Sequence, residues 1–545
     1  MTLPWQPIDV GARRAQRYVR EGFWDDETLG ALLAGGLDDA RDEPFVVRSE
    51  RAPYRGSLGD VFDLARRVAT GLRARGVGPG DAIAFQLPNW VEAATTFYAC
   101  ALLGAVVVPI VHFYGAKEVG YILRRTRVQG LVTTDAFGHV DYVANLAAMR
   151  SADGGLPDLE WVAFVDAPPI DATSFGFGDL ADATPIDGPV AVDPNDAALV
   201  AYTSGTTSEP KGVVHSHRTI GAEMRQLGAI QAAGPPALTG APVGHAIGML
   251  AALLLPVQRR HGIHLIDVWE PGRVLAAMLA DGLSAGQGAT FFLTSLLDHP
   301  DFDPARHGAL MPYIGLGGSA VPAAVTERAR AIGIECSRSF GSTEHPSITG
   351  SAPADPWEQR CRTDGKALPG VELRLVDEEE RDVAPGVAGE IWSRGPDCAW
   401  GYTDPALTAA AFTSDGWYRT GDIGVLDADG ALSITDRKKD IIIRGGENIS
   451  AVEIEELLVR MPGVAEVAVV AAPDARLGEH ACAFVRVLPG APPPTLDAVR
   501  ATLDDAGLAR QKWPEELRVV DALPRTPSGK VQKYVLRDQL RAEPH

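Results

Sequence analysis

The 545-residue sequence predicts an α/β fold. A large N-terminal part built on parallel-rich sheets carries a small barrel-like β subdomain, and a small mobile α+β C-terminal domain follows. Three observations lead there: helical and strand-like patterns alternate from residue 57 onward, short strands separated by turns follow residue 372, and a run of charges at 436–440 interrupts two apolar strands. The expected division is 1–436 and 437–545, with the β-rich subdomain at about 365–436.

Residues 57–75 place Val61, Leu64, Val68 and Leu72 at helical spacing, with Ser57 and Asp60 as a start signal and Gly76 as the stop. Residues 82–87 then read as a buried strand, and the rhythm repeats through 128–134. The apolar stretches 97–111 and 246–257 are shorter than a membrane span and contain Pro109 and Pro256, so both are read as core. Residues 150–195, rich in Asp, Pro and Gly, read as surface connection. Strands are expected at 372–376, 389–393 and 430–434. Beyond the charge run, treated as a solvated crossing, Ser450 and Glu453 form a capping box opening a helix to about Met461. A strand at 464–472, a loop at 489–495 and a final helix at 531–541 complete the chain.

Composition narrows the function. A formal net charge of −21 opposes binding to nucleic acid or anionic lipid, so an anionic ligand must be met by local cations. The five cysteines are scattered and form no Cys-x-x-Cys pair, and the N-terminus lacks a secretory pattern. A cytoplasmic protein without a membrane span is expected, and a homodimer is left open.

Chemistry concentrates in a few loops. Tyr202-Thr203-Ser204-Gly205-Thr206-Thr207-Ser208-Glu209-Pro210-Lys211-Gly212 combines glycine and small hydroxyls with a lysine, a composition suited to cradling phosphates between two strands. It is not a Walker A loop, because Pro210 and Gly212 stand where Gly and Ser or Thr are required. Ser339-Phe340-Gly341-Ser342-Thr343-Glu344-His345 offers a ring for stacking, a glycine, hydroxyls and a carboxylate that could hold Mg²⁺. In 416–422, Asp422 follows a tight Thr420-Gly421 turn and is suited to vicinal ribose hydroxyls. Lys530 lies in the Pro- and Gly-punctuated segment 524–530, where a lysine can move. His215 and His217 form a His-x-His without an evident third ligand, so they read as strand-end histidines. The roles of His112 and His345 are open.

Taken in order, five segments (202–212, 340–344, 418–422, 437–453 and 524–530) resemble the adenylate-forming superfamily of acyl-CoA synthetases, carrier-loading adenylation domains and firefly-type luciferases. The resemblance covers about 57–541, with lesser matches at 242–248 and at Gly317-Gly318-Ser319-Ala320. It implies that Thr203, Ser204, Gly205, Thr206, Thr207 and Lys211 contact the ATP phosphates, Thr343 the α-phosphate and Glu344 the Mg²⁺. Phe340 would stack on adenine beside Gly341 and Ser342, with Gly318 and Ser319 in the acyl and adenine pocket. Asp422 and Arg437 would hold the ribose, Lys439 would be the pivot, Gly445, Gly446 and Glu447 would border a thiol tunnel, and His245 would wall the acyl pocket. Ser208 departs from the glycine usual in that loop. Lys530 would bridge carboxylate and α-phosphate.

The implied activity is AMP-forming ligation of a hydrophobic acid, medium-chain, alicyclic or aromatic, to coenzyme A, using ATP and Mg²⁺. Loading of a separate carrier protein is the second reading, and a non-catalytic nucleotide-binding scaffold the third. The short tail after Lys530 leaves no room for a carrier domain, and residues 244–246 lack the acidic group that amino-acid-activating relatives use.

Overall fold

Ser57 opens the helix Leu58–Ala74 in the computed structural model, which describes residues 8, 10–203, 209–230, 234–445, 447–474, 476–526 and 529–542. The Ser57 hydroxyl accepts from the Asp60 amide at 3.1 Å, and the Asp60 carboxylate accepts from the Ser57 amide at 2.8 Å. Those bonds hold the Asp60 carboxyl below its ordinary range. Val61, Val68 and Leu72 are fully buried, whereas Leu64 is only partly so. Gly76 ends the helix at φ 84°, in the left-handed region where glycine carries no penalty.

The helix feeds an eight-stranded sheet. Its order is Gly401–Tyr402, Lys211–Ser216, Ala197–Thr203, Val106–Ile110, Ala82–Gln86, Gly130–Thr133, Trp161–Phe164 and Ser174–Gly176. The six strands from Ala197–Thr203 to Ser174–Gly176 pair in parallel, while Lys211–Ser216 and Gly401–Tyr402 add antiparallel pairs at the other edge. Two of these strands correct the reading of 150–195 as surface connection. Trp161, Val162, Ala163 and Phe164 are buried, an apolar run hidden by the Asp, Pro and Gly around it. The apolar stretches are core as expected: helix Val91–Leu103 with strand Val106–Ile110, and the helical run starting at Ala246. No helix among the described residues is long and apolar enough to cross a membrane. A second sheet, ordered Leu238–Thr239, Ile263–Ile266, Pro44–Arg48 and Tyr54–Ser57, lies beside the first in the N-terminal part.

Strands Glu372–Val376, Gly389–Arg394, Tyr418–Leu426 and Leu432–Arg437 form a four-stranded antiparallel sheet. The Thr420-Gly421 turn expected before Asp422 is instead a bulge inside a continuous strand. Glu390 pairs with Ile423 and Trp392 with Arg419, and Gly421 sits there at φ 72°.

The charge run is not uniformly solvated, which corrects a second expectation. Arg437, Lys438 and Lys439 are exposed, but Asp436 is buried and accepts from the Ala451 amide at 2.9 Å. Asp436 thereby helps Ser450 cap the helix Ala451–Leu458. Only half of the expected capping box forms there, because the Glu453 carboxylate pairs with Lys512 at 2.6 Å, and the helix stops short of Met461.

The C-terminal part is a five-stranded sheet, with Glu447–Ile449, Ile442–Arg444, Gly478–Val487 and Val464–Asp474 in order and Glu516–Val519 parallel to Gly478–Val487. Ile449, Ile454, Leu458, Val469 and Val499 form one core, and Val470, Phe484, Leu536 and Leu540 another under the final helix Lys533–Ala542. It meets the N-terminal part through polar contacts. Both Glu456 carboxylate oxygens accept from the Ala323 amide, at 3.3 and 3.2 Å, ahead of the helix Ala323–Ala331, and Arg460 pairs with Glu327 at 3.3 Å.

Replacing Ile454 with Ala is expected to cost the C-terminal part about 2–5 kcal/mol. Hydrogen exchange should then show lost protection in Val464–Asp474 with Ala82–Gln86 unchanged.

Candidate active site

Strands Ala197–Thr203 and Lys211–Ser216 form a hairpin in which Thr203 pairs with Lys211. The loop they carry, with Ser204, Gly205, Thr206 and Thr207, lies outside the described residues. Lys211 lies over the Tyr402 ring, 5.5 Å from its centroid, and the Tyr402 hydroxyl donates to Glu344 at 2.6 Å. Burial and Glu344 raise the Tyr402 pKa, so the phenol stays a donor. Sequence reasoning missed Tyr402, because its place follows from pairing with Val213 across the sheet edge rather than from any motif.

The turn 341–347 is tight because Gly341 has no side chain: a Cβ there would lie 1.8 Å from the Pro346 carbonyl oxygen. The Ser342 amide donates to the His345 carbonyl at 2.9 Å. Thr343 and Glu344 sit within the loop so closed. Behind it, His215 Nε2 lies 2.7 Å from the Thr343 carbonyl, with Nδ1 3.2 Å from the Thr219 hydroxyl. Burial lowers the His215 pKa, so a neutral ring donates through Nε2. His217 accepts from the Leu29 amide at 3.2 Å, and no group of three metal-ligating side chains occurs among the described residues.

His345 is fully buried, its Nδ1 2.8 Å from the Ser393 hydroxyl and its Nε2 3.1 Å from Asp397. Ser347 donates through its hydroxyl to Glu223 at 2.8 Å and through its amide to Asp397 at 3.3 Å. Burial, then Asp397, push the Glu223 carboxyl well above its usual range, so Glu223 keeps its proton. Glu223, Ser393 and Asp397 carried no sequence signal, since they meet only in three dimensions.

A cavity of about 320 Å³ opens from this turn. Gly317, Gly318, Gly341, Ser342, Thr343, His245 and Lys530 line it. Phe340 is not in that lining; its ring is buried among Ile348, Leu375, Ile391 and Leu432, beside an isolated bridge to Thr349. Ser319 is likewise absent from the lining, as is His112, which packs edge-on against Phe113 and Phe137.

His245 is partly buried, and its buried Nδ1 has no hydrogen-bond partner among the described residues. Burial, then the nearby Lys530, lower its pKa to about 3, leaving a neutral imidazole. Lys530 arrives on a turn closed by the Thr526 amide donating to the Lys530 carbonyl at 2.8 Å, with Gly529 at φ 88°. Burial, then Arg437, lower its pKa to about 8, while Asp422 and Glu344 oppose the shift. Lys530, His245, Glu344, Asp422 and Arg437 therefore act on one another across a single site. Arg437 donates to Asp422 at 2.7 Å, the two facing each other on paired strands. Gly445, at φ 58°, and Glu447, exposed on its strand, lie away from the cavity, and Gly446 lies outside the described residues.

A buried carboxylate that keeps one oxygen on a tyrosine, in a site without further metal-ligating side chains, fits a Mg²⁺ completed by phosphates and water rather than a protein cage.

Residues 38–403 match the AMP-binding enzyme family, and residues 453–530 match the AMP-binding enzyme C-terminal domain. The chain belongs to this family and is an AMP-forming acid–thiol ligase of the acyl-CoA synthetase kind. It is 34% identical over 537 residues to a medium-chain fatty-acid–CoA ligase of Escherichia coli (strain K12), covering 98% of this chain and 94% of that one. To a salicylyl-CoA synthase / salicylate adenylyltransferase of a Streptomyces species it is 33% identical over 553 residues, covering 99% and 98%. The crystal structure of ATP-bound MatB from Rhodopseudomonas palustris superposes with a TM-score of 0.82 at 28% identity, covering 94% of this chain and 99% of that one.

Competitive labelling of amines with acetic anhydride across pH should find Lys530 titrating near pH 8, well below the ~10.4 of exposed lysines. A Lys530 that labels like the surface lysines would contradict the burial described.

Proposed function

We propose that the chain joins a hydrophobic carboxylic acid to coenzyme A in two steps, adenylation by ATP and then transfer of the acyl group to the thiol. The observation that carries this reading is the arrival of Lys530 in the cavity that also holds His245 and Thr343. A carboxylate is a poor electrophile, since its charge repels a nucleophile and its oxygen leaves badly. Attack of its oxygen on the α-phosphorus of ATP makes a mixed anhydride and releases pyrophosphate.

Two anions must approach, and the Lys530 ammonium is placed to neutralise both where charge develops. Thr203 and Lys211 supply donors and charge at the base of the phosphate loop, and Thr343 lies beside the α-phosphate. Asp422, fixed by Arg437, receives the ribose hydroxyls, and Glu344 would hold Mg²⁺, which when bound neutralises the departing pyrophosphate. Neutral His245 walls the acyl arm without adding charge. The apolar lining, with Ile247, Leu250, Trp269 and Phe292, supports a hydrophobic acid.

In the second step the C-terminal part turns about Lys439, withdrawing Lys530 and bringing Gly445, Gly446 and Glu447 to the thiol path. Five cysteines, none of them in a disulfide, support a reducing cytoplasm as the compartment.

Lys530→Ala is expected to slow pyrophosphate release by about 10²–10³. In the wild type, kcat/KM for ATP should fall as pH rises through about 8, because the ammonium is the active form and is complete only below that pKa. Lys530→Arg should move that alkaline limb upward, and its persistence near 8 would assign it to another group. Lys439→Pro should leave adenylate formation measurable and impair thioester formation, whereas equal loss of both steps would count against a pivot. Release of AMP without acyl-CoA from ATP, acid and CoA would assign the acyl group to a carrier protein instead.

A further inference from the structure

The cavity does not end at the reacting groups. His245 heads a helical run in which Ala246–Met249, Leu250–Leu254 and Leu255–Arg259 follow without a break. Pro256 has no N–H to donate, and the ladder ahead of it loosens into a π-turn, with the Leu255 amide reaching the Leu250 carbonyl. His245 at the start and Arg259 at the end both line the cavity, so it extends along the run, which at 1.5 Å per residue is about 20 Å. The lining includes apolar Ile247, Leu250 and Leu255 from this run and Leu227 and Phe292 from elsewhere, with Glu223 and Arg338 among its polar members.

Arg259 is partly buried and makes no hydrogen bond or ion pair among the described residues. Burial alone lowers its pKa, with no carboxylate raising it. Its neighbour Arg260, by contrast, pairs with Asp39 at 2.5 Å. Half-buried at the end of the cavity, the Arg259 guanidinium offers N–H donors that no acceptor meets among the described residues, and an oxygen atom of a ligand would fill that place. The buried Ser284 hydroxyl, which has no partner among the described residues, lines the same cavity.

We infer that the acid this enzyme takes carries an oxygen acceptor, a second carboxylate or a keto group, at the end remote from the carboxylate to be activated, and that Arg259 binds it. The inference rests on the ligase reading above and adds the chemistry of the far end of the substrate.

The test uses the full chain with ATP, Mg²⁺ and CoA and a series of straight-chain acids of increasing length. Each length is supplied as plain alkanoate, as the keto acid with its carbonyl next to the terminal methyl, and as the α,ω-dicarboxylate. At the matching length, kcat/KM for an oxygenated acid should exceed that for the plain acid by about tenfold or more. Arg259→Leu should erase the difference while leaving the plain acid within about twofold and the melting temperature unchanged. Arg259→Lys, which keeps charge but loses the planar fork, should retain preference for the dicarboxylate more than for the keto acid.

Equal turnover of plain and oxygenated acids at every length, or an Arg259→Leu loss that falls on all acids alike, overturns the inference and leaves the ligase reading intact. If no acid is turned over, the ligase reading fails by itself. Calorimetry of the dicarboxylate with wild type and Arg259→Leu then still decides: binding lost in the variant supports the inference, and absent or equal binding overturns it.

Discussion

The site hangs on the closure of one turn against a cluster of buried polar side chains. Gly341 lies against the Pro346 carbonyl, and behind them His345, Asp397, Ser347 and protonated Glu223 form a connected polar cluster. In such surroundings a satisfied network is rigid, and a half-satisfied one is costly. Keeping the proton on Glu223 avoids two buried anions side by side, and the resulting stiffness is inherited by Thr343 and Glu344. His215, reaching the Thr343 carbonyl from the strand Lys211–Ser216, ties that turn to the hairpin this strand forms with Ala197–Thr203.

Electrostatics then divides the work. The protein as a whole is strongly anionic, yet Lys211, Lys530 and Arg437 gather around one cleft, with Asp422 and Glu344 keeping the local charge moderate. A lysine whose pKa is pulled down toward neutrality is poised to gain affinity for its proton as anionic phosphates enter. His245 stands in contrast: deprived of charge by burial, it lines the cavity as a neutral ring beside Lys530.

Much of this was legible in the sequence, for local reasons. The capped helix Leu58–Ala74, the strands Ala197–Thr203 and Lys211–Ser216, and the turns bearing Glu344 and Lys530 depend on near neighbours in the chain, so spacing and turn chemistry revealed them, whereas the turn expected at Asp422 became a bulge set by the neighbouring strand. What escaped depends on distant partners. Trp161–Phe164 was masked by its loop-like flanks, and Asp436 looked solvated because nothing local tells that its carboxylate caps a helix fifteen residues on. Tyr402, Glu223 and Asp397 could be found only after the sheet was assembled.

The way the C-terminal unit rests on the rest of the molecule bears on how the enzyme could cycle. Glu456 on the Ala323 amide and Arg460 on Glu327 are bonds that water can replace at little net cost. Polar fastening at these two points lets the surfaces there come apart without baring apolar side chains, which the turn proposed about Lys439 requires.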